Sequence, residues 1–366
     1  MRENNFSIFS GGTGGHVIPA VNFGNFLINN GFECCLILDK RGNKFSKNFN
    51  GKVFIIRSSH LSGNIFYKCN ALIDLLIGFI QSLFFLNKIK PNICIGFGSY
   101  ATFMPLTALF FYKLFKNINL YLHEQNSVVG KVNLFFLPFS KSFFTNFREA
   151  INLPEKYKKK KIYVGLPENK KFNIDISKKK NMSKKIIFIY GGSQGSQNLI
   201  NNFLLVIKTI NNNELNELKF LIQCPKKLNI ILEKNLKNLK VDYQIKTFFY
   251  NIDDILSKAD IAITRAGAGT INDLIRHKLP SIIFPLPHSI YNHQYYNAKF
   301  LLDKKACIVL NENNFNINNY SKSLNKLIIE KKYFENMQES IKKIILPDTN
   351  ELILKTILNK NNEKIK

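Results

Sequence analysis

Four glycines in five residues follow the first apolar segment of the chain, as Gly11-Gly12-Thr13-Gly14-Gly15, and His16 comes next. Glycines let backbone amide groups approach an anion closely. The N-terminus of a following helix adds a partial positive charge. Both properties suit a pyrophosphate. His16 would lie at the start of that helix, where a neutral imidazole could take a proton from an attacking hydroxyl.

A second glycine-rich segment, Tyr190-Gly191-Gly192-Ser193-Gln194-Gly195-Ser196, repeats this arrangement in the other half of the chain, and Ser193 could donate to a phosphate. Two such turns suit a nucleotide diphosphate sugar and a second phosphorylated substrate. The first turn lacks the dinucleotide spacing G-x-G-x-x-G, because Val17 stands where the third glycine would fall. Asp39, at the end of the second predicted strand, is the main feature that favours a dehydrogenase, since NAD enzymes place a ribose-binding acid there.

A third segment, Thr264-Arg265-Ala266-Gly267-Ala268-Gly269-Thr270-Ile271-Asn272-Asp273, follows a predicted strand and begins a helix. Its small residues allow close backbone approach, and Thr270 could reach a phosphate at the helix N-terminus. Asp273, one turn further on, could accept from a ribose diol. It could equally be a first-turn acid that stabilises the helix dipole.

Two further polar segments follow predicted strands. In His123-Glu124-Gln125-Asn126, Glu124 could be a base, orient a base, or cap a helix. In His293-Gln294-Tyr295-Tyr296-Asn297-Ala298, Gln294 and Asn297 lie three residues apart on one helix face. Amide side chains there can both donate to and accept from sugar hydroxyls.

Short apolar runs alternate with helical patterns along the whole chain, which predicts βαβ units and parallel sheets. Each half contains five predicted strands: 6–10, 34–38, 53–56, 93–96 and 120–122, then 185–190, 219–223, 243–247, 261–264 and 281–284. Residues 153–184 are rich in Lys, Pro and Asn and form the predicted linker. The fold class is therefore α/β with two Rossmann-like halves, and the predicted domains are residues 1–165, 166–340 and a C-terminal helix, 341–366, packing back on the first.

The formal net charge of +27 admits three interpretations: a lysine-rich solvated surface, attraction to an anionic membrane surface, or nucleic-acid binding. The lysine runs 158–161 and 178–180 are interpreted as linker or surface. Six cysteines show neither a CxxC pair nor metal-ligand spacing, which fits a reducing compartment. The first apolar segment is too short for a signal peptide, which favours a cytoplasmic protein.

The longest apolar run, residues 71–86, is interrupted by Asp74, Gly78 and Gln81. A membrane span needs about 20 apolar residues, so we do not predict a transmembrane helix. The run is interpreted as a core helix or, because lysines flank it at 68, 88 and 90, as a helix that docks on a bilayer.

The chain resembles the MurG family, the enzymes of glycosyltransferase family 28 that add N-acetylglucosamine to lipid-linked muramyl-pentapeptide. The matching stretches occur in the family's order and cover nearly the whole chain: GGTGGHVIPA from Gly11, GFGSYATFMP from Gly96, HEQNSVVGKVN from His123, GGSQGSQNLIN from Gly191, TRAGAGTINDL from Thr264 and HQYYNA from His293.

This resemblance implies a GT-B fold, in which two doubly wound parallel-sheet domains face a cleft, and an inverting transfer from UDP-N-acetylglucosamine that uses neither metal nor cofactor. It implies a peripheral location on the cytoplasmic face of the inner membrane, where the undecaprenyl-pyrophosphoryl acceptor is found, and no nucleic-acid partner. His16 and Glu124 match residues proposed to act in catalysis. The implied substrate-binding residues are Thr13, Gly14, Gly15 and Asn126 in the first domain, and Ser193, Ile252, Ala268, Gly269, Thr270, Ile271, Asn272, Asp273, Gln294 and Asn297 in the second.

The sequence departs from the family pattern at two places. The family's Gly-Asn-Pro-x-Arg segment is Gly165-Leu166-Pro167-Glu168-Asn169 here, so the donor-contacting arginine is missing. Lys170 or Lys171 could replace it, although a lysine lacks the planar guanidinium fork. Asp273 stands where the family usually has Glu. The alternatives left open are a UDP-sugar epimerase of the same fold and a basic membrane- or nucleic-acid-binding protein without catalysis.

Overall fold

The protein is described by a computed structural model that covers residues 4–59, 64–169, 184–191, 196–249 and 251–362. It divides into two α/β units. Met1–Lys170 and Pro347–Lys366 form the first unit, and Lys171–Leu346 forms the second. The predicted divisions fell at residues 165 and 340, so residues 166–170 belong to the first unit and residues 341–346 to the second.

The first unit is built on a parallel sheet whose strands lie in the order β3-β2-β1-β4-β5-β6-β7. Neighbouring residues of a strand serve opposite faces, as Leu36 and Leu38 pack in one core cluster while Ile37 packs in the other. The strands are β1 Asn5–Phe9, β2 Glu33–Asp39, β3 Lys52–Ile56, β4 Ile93–Gly96, β5 Asn119–Glu124, β6 Ser142–Thr145 and β7 Lys161–Tyr163.

Helices cover both faces of this sheet, which is why the strands read as continuous apolar runs. They are α1 Gly14–Asn29, α2 Lys40–Asn43, α3 Ile65–Ile89, α4 Phe103–Tyr112 and α5 Lys131–Phe136, with 3-10 turns at Tyr100–Thr102, Leu137–Phe139 and Glu155–Lys160.

Part of the predicted linker is folded structure of the first unit. Residues 155–160 form a 3-10 turn, and β7 follows it as an edge strand paired with β6. The lysine run is not simply a solvated surface, because the ammonium group of Lys160 donates to the carbonyl oxygens of Leu137, Pro138 and Ser140 at 3.1, 2.8 and 2.6 Å. The linker prediction was therefore wrong for residues 155–163.

The second unit repeats the architecture with a parallel sheet in the order β10-β9-β8-β11-β12-β13. Its strands are β8 Lys185–Tyr190, β9 Leu218–Gln223, β10 Asp242–Lys246, β11 Ile261–Thr264, β12 Ser281–Ile283 and β13 Ile308–Val309. Its helices are α6 Gln197–Ile207, α7 Asn212–Asn216, α8 Asn229–Asn238, α9 Ile252–Lys258, α10 Ala268–Arg276, α11 His293–Leu302, α12 Ile317–Ile329 and α13 Lys331–Lys342, with 3-10 turns at Lys226–Leu228 and Ile290–Asn292.

Both sheets reverse their strand order next to their first strand, between β1 and β4 and between β8 and β11. Connections on the two sides of such a point run to opposite faces, which opens a crevice at the carboxyl ends of the strands. The glycine-rich turns follow β1 and β8, and the segments at 96–105 and 264–273 follow β4 and β11. Sequence motifs and switch points therefore coincide in each unit.

The last helix, α14 Thr349–Asn362, belongs to the first unit. Its residues Ile353, Leu354 and Ile357 are buried in one core cluster with residues of β1, β2, β4 and α1. Asn350 donates through its side chain to the carbonyl oxygen of Glu168 at 2.9 Å. The chain therefore leaves the first unit after residue 170 and returns to it to complete its core.

Helix α3 begins at Ile65, six residues earlier than the apolar run suggested, and its 25 residues are long and apolar enough to cross a bilayer by length and composition alone. One face packs against the unit: Leu75 and Leu86 are buried, and a Cβ added at Gly78 would collide with the Arg57 carbonyl oxygen. Only 28% of the most apolar stretch is buried. The core interpretation is therefore right for one face of this helix and wrong for the remainder.

We expect Ile357→Ala to destabilise the first unit by about 2–5 kcal/mol, because it leaves a cavity in a packed core. Ile345→Ala is the matched control, since Ile345 is 84% exposed whereas Ile357 is fully buried. Two units can unfold separately, so amide hydrogen exchange in each sheet is the measurement. Protection should fall in β1–β7 and persist in β8–β13; equal loss in both sheets would contradict this assignment of α14.

Candidate functional site

The glycine turn after β1 is held by the buried carboxylate of Asp39. Its Oδ1 accepts from the backbone amides of Gly12 and Gly42 at 2.8 and 2.9 Å, and its Oδ2 accepts from the Tyr100 hydroxyl at 3.0 Å. Gly12 has a φ of +74°, and a Cβ there would lie 2.8 Å from the Ser99 hydroxyl oxygen, so only glycine fits. Asp39 is therefore a structural acid. The interpretation that would give it to a nucleotide ribose is not supported.

His16 lies in the first turn of α1 and is partly exposed. Its Nδ1 lies 2.9 Å from the Phe97 carbonyl oxygen and 2.6 Å from Oε1 of Gln125. These contacts join the helix after β1 to the loops after β4 and β5. The structure thus brings the first glycine turn and the HEQN segment together through this imidazole.

Glu124 lies at the end of β5 and is 3% exposed. Both oxygens of its carboxylate accept hydrogen bonds from the protein. Oε1 accepts from the amide of Asn126 at 3.1 Å, and Oε2 accepts from the amide of Gly130 and from Nδ2 of Asn133, both at 2.9 Å. These bonds fold residues 124–133 into a compact loop. The arrangement suits an anchoring acid better than a base, because a base needs a lone pair directed at substrate.

The remaining predicted residues of the first unit lie around α1 and this loop. Thr13 is the N-cap of α1, but its side chain makes no capping hydrogen bond. Gly15 is exposed, and a Cβ there would meet only Thr13 Oγ1 at 3.7 Å, so there is space for a ligand. Gly14 is buried against Phe45. Asn126 is half-buried, beside Glu124. A helix N-terminus without a capping side chain has the chemistry that favours an anion.

In the second unit, the N-terminus of α10 has the same character. Its N-cap is Gly267, which offers no capping side chain. A Cβ at Gly269 would meet nothing within 4 Å, and Thr270 is half-buried. Amide groups of the first helical turn lack partners within the helix and favour a negative charge. Ala268, Gly269 and Thr270 therefore stand at an uncapped helix start with open space, where the chemistry would suit a phosphate.

Asp273 lies one turn into α10 and is paired with Arg276 at 3.2 Å. Arg276 also contacts Asp253 at 3.0 Å, and Asp253 accepts from His277 Nε2 at the same distance. The hydrogen bond from His277 and the charge of Arg276 lower the pKa of Asp253 against the opposing effect of burial. This network connects Asp273 to the start of α9, where Ile252 is half-buried.

Gln294 and Asn297 hold the backbone that precedes α10. Gln294 Oε1 accepts from the amides of Ala266 and Leu286 at 3.2 and 3.0 Å, and Asn297 Nδ2 donates to the Ala266 carbonyl at 3.1 Å. Asn297 is fully buried, as is Ile271, and Asn272 is 3% exposed. The side chains of Gln294 and Asn297 therefore hold the loop before α10, and those of Ile271 and Asn272 are buried.

A buried ion pair in the second unit joins Arg265 to Glu312. Their side chains are each 7% exposed, and Arg265 also donates to Ser196 Oγ at 2.6 Å. Ser196 in turn caps α6. The pair thus ties the start of α6 to the loops after β11 and β13. Ser193, Lys170 and Lys171 lie outside the described residues.

Sequence reasoning missed the positioning residues Tyr100, Gln125, Asn133, Arg276 and Glu312. The first four lie in or beside quoted motifs, so their proximity to a site was visible although their partners were not. Glu312 has no local signal, because it is 47 residues from Arg265. In the described part of the chain, no group of three or more His, Cys, Asp or Glu side chains has the arrangement of a metal site.

Both units match models of known protein families. The glycosyltransferase family 28 N-terminal domain matches residues 6–145, and the family 28 C-terminal domain matches residues 186–351. A relative from Rickettsia canadensis is 34% identical over 340 residues, covering 92% of this chain and 94% of the relative. It is named UDP-N-acetylglucosamine–N-acetylmuramyl-(pentapeptide) pyrophosphoryl-undecaprenol N-acetylglucosamine transferase.

Solved structures extend this similarity to the fold. MurG from Acinetobacter baumannii superposes with a TM-score of 0.76 at 20% identity, covering 97% of this chain and 99% of that one. The UDP-GlcNAc 2-epimerase from Neisseria meningitidis gives 0.63 at 15% identity, covering 97% and 100%. The predicted GT-B fold is confirmed. At these identities the likeness does not separate transferase from epimerase.

We expect Glu124→Gln to destabilise the 124–133 loop by about 1–3 kcal/mol, because the amide nitrogen of Gln would face donors that now bond to a carboxylate oxygen. Hydrogen exchange at the amides of Asn126 and Gly130 measures this directly. Glu149→Gln, at an exposed glutamate of the same unit, is the control. Wild-type protection combined with lost turnover would instead make Glu124 a reacting acid.

Proposed function

Because this chain belongs to glycosyltransferase family 28, we propose that it transfers N-acetylglucosamine from UDP-N-acetylglucosamine to the 4-hydroxyl of lipid-linked N-acetylmuramyl-pentapeptide, with inversion. This reaction is a step of peptidoglycan synthesis. The observation that carries the proposal is 34% identity, over 92% of the chain, to a relative named for this activity. A second such relative, from Rickettsia felis, is 33% identical over 346 residues.

The donor is assigned to the second unit. The diphosphate would lie at the N-terminus of α10, with backbone amides and the Thr270 hydroxyl as donors. Asp273 would accept from the ribose, held by Arg276, and Ile252 would lie against the uracil. The aspartate is one methylene shorter than the usual glutamate, and its ion pair with Arg276 favours a fixed carboxylate position.

The acceptor and the base are assigned to the first unit. The lipid diphosphate would bind at the N-terminus of α1, near Thr13, Gly14 and Gly15. His16 is the better candidate for the base, because its imidazole is partly exposed whereas the oxygens of Glu124 are engaged by the protein's own donors.

The reaction is a single displacement. His16 removes the proton of the acceptor 4-hydroxyl as that oxygen forms a bond to the anomeric carbon of the sugar. The bond from this carbon to the UDP phosphate oxygen breaks on the opposite side. Negative charge grows on the departing phosphate, where fixed amide donors stabilise it most.

An exposed apolar surface on the first unit supports a membrane-bound location. This surface, which we call the apolar face, comprises exposed side chains of α3, α4 and α5 and of the segments that follow α4 and α5: Ile65, Phe66, Tyr67, Leu72, Ile73, Leu76, Ile80, Phe84, Phe110, Phe111, Leu114, Phe115, Phe135 and Phe139. Ring contacts between Phe79 and Phe111 at 5.9 Å and between Phe110 and Phe139 at 4.8 Å make it continuous.

Fourteen large apolar side chains are exposed on this face, and clustered exposed apolar side chains are typical of membrane or protein interaction sites. Lysines 68, 88 and 90 lie beside it, exposed. Apolar burial and attraction to anionic lipid add to one another. We therefore propose peripheral binding to the cytoplasmic leaflet, where the lipid acceptor would be available. Packing of Gly78 against Arg57 supports docking rather than spanning.

The decisive experiment offers labelled UDP-N-acetylglucosamine with and without lipid acceptor. Acceptor-dependent product supports the transferase, whereas conversion of the sugar without acceptor would identify an epimerase. Calorimetric titration with UDP-N-acetylglucosamine, UDP-N-acetylgalactosamine and NAD tests the donor. We expect the first to bind most tightly and NAD not to bind.

We expect His16→Ala to lower kcat by about 10²–10⁴, the usual contribution of a general base. Affinity for UDP should remain, because the donor is assigned to the other unit. The measurement is turnover at saturating substrates, with amide hydrogen exchange in β1–β7 as the control for folding of the first unit and UDP calorimetry as the control for the second. Near wild-type turnover would remove His16 from the mechanism.

We expect the double variant Leu76→Asp and Ile80→Asp to lower binding to phosphatidylglycerol vesicles at least about tenfold, because two exposed apolar contacts become charges that anionic lipid repels. The matched control is Ile230→Asp with Ile231→Asp in α8, which are 81% and 56% exposed against 61% and 57% for Leu76 and Ile80. Vesicle sedimentation measures both. Equal sedimentation of the two double variants would contradict the assignment.

A further inference from the structure

The imidazole of His16 ends a chain of hydrogen bonds that starts at the backbone carbonyl of Gly165. The chain runs through the buried side chains of His123 and Gln125. Neither residue was given a role by the sequence. The direction of each bond can be worked out, because carbonyl oxygens only accept and a neutral imidazole has one N–H.

Gln125 has one possible orientation. Its Nε2 lies 3.2 Å from the His123 carbonyl oxygen, an acceptor, so the amide nitrogen must face His123. The amide oxygen then faces His16 Nδ1, at 2.6 Å. The residue is 1% exposed, so water does not compete for these groups.

The protonation of His16 follows from this orientation. Both partners of Nδ1 are oxygen acceptors, Gln125 Oε1 and the Phe97 carbonyl at 2.9 Å, so Nδ1 must carry the proton. A neutral imidazole protonated at Nδ1 has its lone pair on Nε2. No described residue forms a hydrogen bond with this Nε2, so the basic nitrogen is the one open to another molecule.

His123 fixes the donor-to-acceptor direction of this series of hydrogen bonds. Its Nε2 faces the Gly165 carbonyl at 2.9 Å and must carry the proton, so Nδ1 accepts from Gln125 Nε2 at 3.1 Å. Burial lowers the pKa of His123 to about 4, which keeps the ring neutral at pH 7. A charged ring would donate from both nitrogens and would turn the Gln125 amide around. The NH₂ group would then oppose the Nδ1–H of His16.

The carbonyl of Gly165 is itself fixed. Gly165 has a φ of +87°, and a Cβ there would lie 2.6 Å from Thr349 Oγ1. Its amide donates to the Thr145 carbonyl at 3.2 Å. The anchor is thus a constrained glycine directly after β7, in the segment that leads out of the first unit.

We propose that His123 and Gln125 are positioning residues that hold His16 in the Nδ1–H tautomer, so that Nε2 is the atom that receives the acceptor's proton. The catalytic part of this proposal rests on the proposed function. The assignment of the His16 tautomer does not depend on it.

The test is ¹⁵N NMR of histidine-labelled protein at about pH 8.5, two units above the ordinary histidine pKa of about 6.5. The His16 signals are assigned by their loss in His16→Ala, and one-bond and two-bond couplings distinguish the tautomers. We expect the Nδ1–H form in the wild type and in Gln125→Glu, which keeps an oxygen acceptor. In Gln125→Met, which has similar size and no acceptor oxygen, only the Phe97 carbonyl still accepts from Nδ1, so we expect the fraction of the Nδ1–H form to fall below that of the wild type.

Activity supplies the second measurement. Gln125→Met should lower kcat about 10–100-fold, as outer partners of functional histidines do, with the KM for UDP-N-acetylglucosamine unchanged. Gln125→Glu should recover most of the loss. Ser140→Ala, which removes another buried hydrogen bond of the first unit at 2.9 Å, controls for general destabilisation.

An Nε2–H or mixed tautomer in the wild type, or an unchanged tautomer in Gln125→Met, would overturn the proposal. Absence of any transferase activity alongside the expected spectra would overturn the proposed function and leave the tautomer assignment standing. The two failures are therefore distinguishable.

Discussion

Parallel pairing is the constraint on which both units depend. When all strands of a sheet run in one direction, their carboxyl ends meet at one edge, and every following loop begins there. In the first unit this brings Gly12, Phe97 and Gln125, which follow three different strands, within reach of the same helix start. The second unit gathers Ala266, Leu286 and Gln294 in the same way. Without the shared edge, none of these contacts would form.

Burial distinguishes the acids and bases at these sheet edges that hold the structure together from those that are available for chemistry. A buried carboxylate is costly unless donors surround it. Asp39 and Glu124 each meet that requirement with backbone amides of nearby loops. The buried pair of Arg265 and Glu312 supports the second unit in a similar way. His16 differs, because the hydrogen bonds to the protein are at its Nδ1 and the residue is partly exposed.

The sequence was sufficient for features that depend on local pattern. Strands β4, β8 and β11 have the predicted bounds, since buried parallel strands read as unbroken apolar runs between turn residues. The strands that were missed, β6, β7 and β13, have only four, three and two residues, and such short segments offer no run or alternation to detect. The site was predictable as a set of motifs and not as a network, because the partners of Asp39 and Arg265 depend on tertiary contacts that local pattern does not encode.

The placement of α14 has a consequence for biosynthesis. Ile353, Leu354 and Ile357 complete a core whose other members lie between residues 6 and 164. A ribosome makes these three residues after the entire second unit has been synthesised. The nascent first unit therefore lacks part of its core until then. The second unit needs no such late segment, so the domain made later is the one that can finish folding first.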